Sequence, residues 1–140
     1  MKHKSKKTLK GEMYIDTLIN VVVVCVLIVF GLAILPILIG QYMLSVEVHT
    51  VARDISITGE YINPNDIVMV NGENIPITIT GENATYYSGR YLVQLGNEVT
   101  VDASMTVHLT IGGIANVPIN LNSHATGRSE KYWKELDLMQ

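Results

Sequence analysis

The chain has 140 residues, 48% of them hydrophobic, with ten Lys and Arg against thirteen Asp and Glu and a single cysteine. That length leaves room for one modest soluble domain beside a membrane segment. A net charge of −3 with no basic patch beyond the first ten residues argues against a nucleic-acid partner, and Cys25 alone excludes an intramolecular disulfide.

Lys2, Lys4, Lys6, Lys7 and Lys10 are half of the basic residues, and no acid stands among them. From Gly11 onward five basic residues face thirteen acidic ones, a net of −8. Beside an apolar run, such a lysine block sets topology: it places the amino terminus in the cytoplasm and everything after Gln41 outside. Uncharged residues extend from Thr17 to Val46, and the twenty at 21–40 match the length that spans a hydrocarbon core. As a helix the uncharged stretch is about 45 Å long, so it crosses a bilayer and projects beyond it. An interfacial helix would need a polar face, and this segment has none.

Helical spacing continues to about residue 58, with Met43, Val46, Val48, Val51, Ala52 and Ile55 forming an apolar stripe beside Glu47, Arg53 and Asp54. Gly59 and Asn63-Pro64 are stop signals. Pro36 predicts a kink in the apolar part. Gly31 and Gly40 allow close helix approach, although they are not at GxxxG spacing.

Beyond Tyr61 the period changes to two. Over residues 99–111, Val99, Val101, Ala103, Met105, Val107, Leu109 and Ile111 alternate with polar residues, which means one buried and one wet face. Gly112-Gly113 predicts a two-residue turn, and the chain returns as a strand over 114–121 with Val117, Ile119 and Leu121 alternating. Residues 66–70 and 75–80 flank Asn71-Gly72, a hairpin signal. Pro76 and Pro118 cannot donate to a ladder and mark an edge or a bulge. A further short strand is expected over 91–95, with Tyr86, Tyr87 and Tyr91 either packing on a sheet face or forming an exposed patch.

These elements predict an α+β protein: a long N-terminal transmembrane helix extending into a soluble domain, packed on an antiparallel β-sheet of four to six strands. The segments are a basic leader at 1–11, the helix at 12–58, the β domain at 61–126 and a C-terminal tail at 127–140. No phosphate-binding glycine loop, nucleophile with a base, or paired acids occurs. Asp102 and His108 share a strand face but stand about 20 Å apart, too far for direct chemistry. His3, His49, His108 and His124 lack a second ligand at metal-site spacing. The expectation is therefore no catalytic residue, no cofactor and no metal, in a protein that is not an enzyme. Asn83-Ala84-Thr85 matches the glycosylation pattern, as short chains do by chance.

Glu12 and Asp16 stand between the lysines and the apolar run. An acid in a membrane helix costs ~2.5–3.5 kcal/mol at the bilayer centre, less near the interface, and usually implies a partner. Asp16 either caps the helix, a gain of ~0.3–1 kcal/mol, or pairs with a cation supplied from elsewhere.

The order Lys10-Gly11, then Glu12 through Asp16, then an apolar helix resembles a type IV prepilin. In that family a membrane peptidase cuts after the leader's glycine, and an acid stands fifth in the mature chain. The resemblance puts cleavage after Gly11, a new amino terminus at Glu12, and Asp16 at the fifth position. The chain is similar more narrowly to the TadE-like pseudopilins, whose polar helical extension carries an Ala-Arg-acid element like Val51-Ala52-Arg53-Asp54. Residues 127–134, GRSEKYWK, also look like the closing signature of an uncharacterised TadE-like group. Asp16 and Glu12 depart from the family, where the fifth residue is usually glutamate and the first commonly apolar. The resemblance implies a bacterial cytoplasmic-membrane, single-pass subunit assembling with other pilin-like subunits, homo- or hetero-oligomeric, in a Tad-like pilus or a secretion or conjugation apparatus. In that assembly the new ammonium of Glu12 on one copy pairs with Asp16 of another. The other function the sequence allows is an uncleaved, signal-anchored extracytoplasmic β domain for binding or adhesion.

Overall fold

The computed structural model describes residues 8–111, 113 and 115–134, with residues 8–13 and Ile111 as backbone alone. One helix, α1 (Thr8–Thr58), is followed by seven strands: β1 (Glu60–Tyr61), β2 (Asn65–Val70), β3 (Glu73–Gly81), β4 (Thr85–Tyr87), β5 (Arg90–Leu92), β6 (Glu98–Ile111) and β7 (Ala115–Arg128). This is the α+β layout the alternation of periods predicts, but α1 starts four residues before the expected position, at Thr8.

The apolar run of α1 serves two environments. From Tyr14 to Leu32 the side chains are exposed, and burial begins at Ala33 and Ile34. Gly40, Leu44, Val48, Ala52, Ile55 and Ser56 are then buried, at the spacing of one helix face. Met43 and Val46, expected on that stripe, are 39% and 44% exposed. The correction is a rotation of the stripe onto Leu44, because the small Gly40 lets the sheet approach one turn earlier. A Cβ at Gly40 would lie 3.3 Å from Val107 and 3.4 Å from Leu121. Gly31 meets nothing within 4 Å, and Pro36 lies within the continuous helix.

At its far end α1 stops at Gly59, whose φ of 68° places it in the left-handed region and whose N–H donates to the Ile55 carbonyl at 2.7 Å. Two antiparallel sheets follow, where the sequence predicts one. The larger has the order β2-β3-β6-β7, the smaller β1-β5-β4. The β2–β3 hairpin turns through Asn71 (φ 52°) and Gly72 (φ 83°), with Val70 opposite Glu73. Two successive positive φ values are what a two-residue hairpin needs, which explains the residue pair. Ser88 and Gly89 close the β4–β5 hairpin in the same way.

The β6–β7 hairpin differs from expectation in two respects. Ile111 pairs with Ala115, so three residues connect the strands and not two. β7 also continues to Arg128, absorbing the expected tail boundary. Pro118 is on β7, an edge strand of the larger sheet. Pro76 is on an inner strand, one residue past the point where the β3–β6 ladder ends at Ile77 opposite Ala103. Its missing N–H therefore costs no ladder bond with β6.

Inward residues of β3 and β6, Ile75, Ile77, Ile79, Val99, Val101, Ala103 and Met105, meet Leu44, Val48, Ala52 and Ile55 of α1 in one core. Each such side chain contributes about 1.5–3 kcal/mol when fully buried. The small sheet adds Tyr61, whose ring stacks on Tyr91 at 5.0 Å with Tyr86 edge-on to Tyr91 at 5.1 Å. The expected tyrosine patch is thus a packed cluster with Tyr86 and Tyr87 at its exposed rim.

Residues 129–133 are clasped onto the domain. Ser129, 2% exposed, donates its hydroxyl to the Val93 carbonyl at 2.8 Å. Its N–H bonds Asn97, and the Glu130 N–H bonds the Ser56 carbonyl. Trp133 donates its indole N–H to the Gly59 carbonyl at 3.0 Å, while its backbone exchanges two hydrogen bonds with the Gln94 side chain. Residues 135–140 lie outside the described residues, as do residues 1–7 of the expected leader.

Candidate functional site

Two places carry the residues the sequence singles out: the start of α1, and the junction where α1 meets the end of β7. At the start, Gly11 and Glu12 lie within helical backbone and their side chains lie outside the described residues. Asp16 is exposed and eight residues from the first residue of α1. The macrodipole acts only within the first turn, so Asp16 does not cap this helix. Removal of residues 1–11 would shift the helix start to Glu12 and leave Asp16 one turn away, within reach of a dipole and of an amino terminus.

Around it the exposed face is apolar apart from Thr17 and Asn20, and Cys25 is exposed one turn beyond Val21. The segment contains a span apolar and long enough to cross a membrane, and none of its most apolar window is buried within the chain. Twenty or so apolar side chains held away from the core need another apolar environment.

At the junction, β7 crosses α1 at Gly127. A Cβ there would collide with Ser56 Oγ and lie 3.2 Å from the Ala52 carbonyl oxygen, so only glycine allows the approach. The crossing leaves an open groove of about 730 Å³, lined by His49, Arg53, Arg128 and Glu130, with the exposed Ile57 and Leu95 as apolar lining. Among the described residues the ion pairs are Arg90 to Glu60 at 2.7 Å and His124 to Asp102 at 2.6 Å. Arg53 and Arg128 belong to neither and present two guanidinium groups to the groove. The two guanidinium groups can hold an anionic group, with the Glu130 carboxylate on the same wall opposing it.

The two serine hydroxyls at the groove are committed elsewhere, Ser56 to the Ala52 carbonyl at 2.7 Å and Ser129 to the Val93 carbonyl, and Thr126 adds a third hydroxyl to the lining. On the outer face of the larger sheet, Asp102 finds His124 across the hairpin and not His108, because the register places residues 102 and 124 opposite each other. The sequence missed that pair. A return strand extended through His124 from a three-residue connection would have revealed it. Among the described residues no group of three or more metal-ligating side chains comes together.

The architecture defines a class: a small antiparallel β domain built on the far half of one long helix whose near half is apolar and uncovered. The chain belongs to the family described as domain of unknown function DUF4320, whose model matches residues 21–134. The match takes in the uncovered helix from Val21, both sheets and the Trp133 clasp, and begins after Gly11 and Asp16. Neither a curated protein nor a solved structure matches the chain.

Proposed function

We propose that the protein is a pilin-like, pseudopilin membrane subunit, cut after Gly11 by a prepilin peptidase and assembling through α1 with other pilin-like subunits in a Tad-like pilus or a secretion or conjugation apparatus. The amino terminus is cytoplasmic, the β domain is extracytoplasmic, and lipid surrounds the near half of α1 before assembly. The observation that carries this reading is the uncovered apolar face from Tyr14 to Leu32, entered by Asp16 just after the lysine block and Gly11. Apolar packing would drive neighbouring helices together, and the Glu12 ammonium released by cleavage would neutralise Asp16 of an adjoining copy. The domain supplies no catalytic step; its arginine-walled groove suits recognition of an acidic surface.

Intact mass of the membrane-extracted protein tests the proposal. Loss of residues 1–11 supports it, as does a ladder of Cys25-linked oligomers that collapses in Asp16→Ala. A full-length mass in cells that contain the peptidase would refute it.

One observation favours a second reading. The helical backbone runs unbroken through Gly11, and a scissile bond within a helix must unwind before a protease can use it. An uncleaved anchor holding the β domain for binding or adhesion accounts for that continuity, and the same mass measurement decides between the two.

A further inference from the structure

The ladder between β3 and β6 ends at Ala103, yet β6 and β7 remain paired as far as Ile111 and Ala115. Beyond that point they form a two-stranded ribbon with two open edges. Such a ribbon is marginal in water unless one face is covered. Its root is covered by α1, where Met105 and Leu121 are buried and Gly40 fits between Val107 and Leu121. Cover then fades toward the tip: Val107, Leu109 and Ile119 are half-buried, and Val117 is 46% exposed.

Position along the helix follows from the contacts. Gly127 packs at Ala52 and Ser56, Leu121 at Gly40, and the Gln41 side chain donates to the Asn122 carbonyl at 3.1 Å. The strand from Gly127 to Leu121 covers ~20 Å, and α1 from the midpoint of Ala52 and Ser56 to Gly40 covers about the same. The ribbon therefore runs nearly parallel to α1, toward its amino-terminal end. Continuing from Leu121 to Val117 adds ~13 Å, which is level with about Gly31 of α1. That is the outer end of the uncovered apolar stretch, where burial begins at Ala33.

The chemistry of the ribbon fits that level. Residues 103–123 contain no Asp, Glu, Lys or Arg, in a chain that is otherwise acidic beyond its leader. Open edges in water usually carry charge. Here the outer face carries Ser104, His108, Thr and Asn instead, with Thr106 Oγ1 donating to Asn120 Oδ1 at 2.9 Å. Full burial in hydrocarbon is excluded because the unpaired edge N–H and C=O groups would find no partner there. The interfacial layer offers both water and apolar chains.

We propose that the distal half of the β6–β7 ribbon, through Leu109 and Val117, lies in the outer interfacial layer of the bilayer that α1 crosses. This gives the protein a second lipid contact, independent of charge, that fixes the tilt of the domain above the membrane. The inference rests on α1 spanning the bilayer and needs neither cleavage nor assembly.

The test uses the full chain reconstituted in phosphatidylcholine vesicles and labelled with an environment-sensitive fluorophore at one cysteine per variant. The label sits at native Cys25, or, in a Cys25→Ser background, at Val117→Cys or Thr126→Cys. Quenching by a nitroxide near the lipid headgroup should be at least threefold stronger at residue 117 than at residue 126, and unchanged when the protein is diluted tenfold in lipid. Equal quenching at 117 and 126 with Cys25 quenched by a deep nitroxide overturns the ribbon contact alone. A Cys25 label that escapes deep quenching overturns the spanning reading with it. Shielding of residue 117 that disappears on dilution, with disulfide-linked Val117→Cys dimers, assigns the ribbon to a second copy and also overturns the proposal.

Discussion

Gly127→Ala tests how closely β7 must approach α1. The added methyl meets Ser56 Oγ at a separation no pair of atoms tolerates, with Ser56 Cβ at 3.3 Å and the Ala52 carbonyl oxygen at 3.2 Å. Either the strand withdraws or the serine hydroxyl swings away from the Ala52 carbonyl it bonds at 2.7 Å. Overpacking of this kind costs about 1–3 kcal/mol. Loss of the hydroxyl bond adds at most about 1 kcal/mol, since that carbonyl still accepts the helical N–H of Ser56. A total of roughly 1–4 kcal/mol corresponds to a melting point lower by about 4–30 °C for a soluble part of this size. Trp133, the single tryptophan, bonds the end of α1 and reports the transition by fluorescence in the detergent-solubilised full chain. Ser56→Ala should be nearly silent alone and should restore at least half of the loss when combined with Gly127→Ala. A Gly127→Ala melting point within 2 °C of wild type, or an unrescued double variant, would refute the reasoning.

Gly72→Ala places a side chain at φ 83° in the β2–β3 turn; about 1 kcal/mol should be lost, read as a fall of roughly 4–8 °C in melting point. Tyr61→Phe should flatten the alkaline limb of stability. Burial is the main cause that holds the Tyr61 phenol above its ordinary value, with Tyr91 adding and the Gly81 backbone hydrogen bond opposing. The stability tied to its neutral form is whole below about pH 10 and is lost as pH rises through the raised folded value, so melting points from pH 9 to 11 should fall less in the variant. Arg90→Ala breaks an ion pair that is half open to solvent and should cost under about 1 kcal/mol. A larger loss in a urea titration would mean that the guanidinium holds β5 against β1 by more than charge.

The parts of the fold legible in the sequence are those with period or turn chemistry. Alternation over 99–111 became β6, Asn71-Gly72 became a two-residue turn, and Gly59 ended α1. The small sheet was mostly hidden, because strands of two and three residues such as β1 and β4 are shorter than any detectable period. Ser88-Gly89 was its available signal. The junction groove was half legible: Arg53 and Arg128 each stood in a stretch that drew notice, but nothing local says that a strand ending at 128 crosses a helix at 52. Contacts made by a glycine that is merely absent of side chain leave no pattern to read. The clasp of Trp133 is likewise built from one indole and one amide, without repetition.

The bond from Trp133 back to Gly59 ties residues 74 positions apart. A chain made from its amino terminus delivers α1 well before the strands that must sit on it. Leu44 and Val48 then wait without cover until β6 and β7 emerge, and the helix end stays open until the last described residues arrive. Completion of the domain is therefore timed by the arrival of residues 129–133, and a chain halted short of residue 129 presents an uncapped helix and bare strand edges to the folding factors it meets.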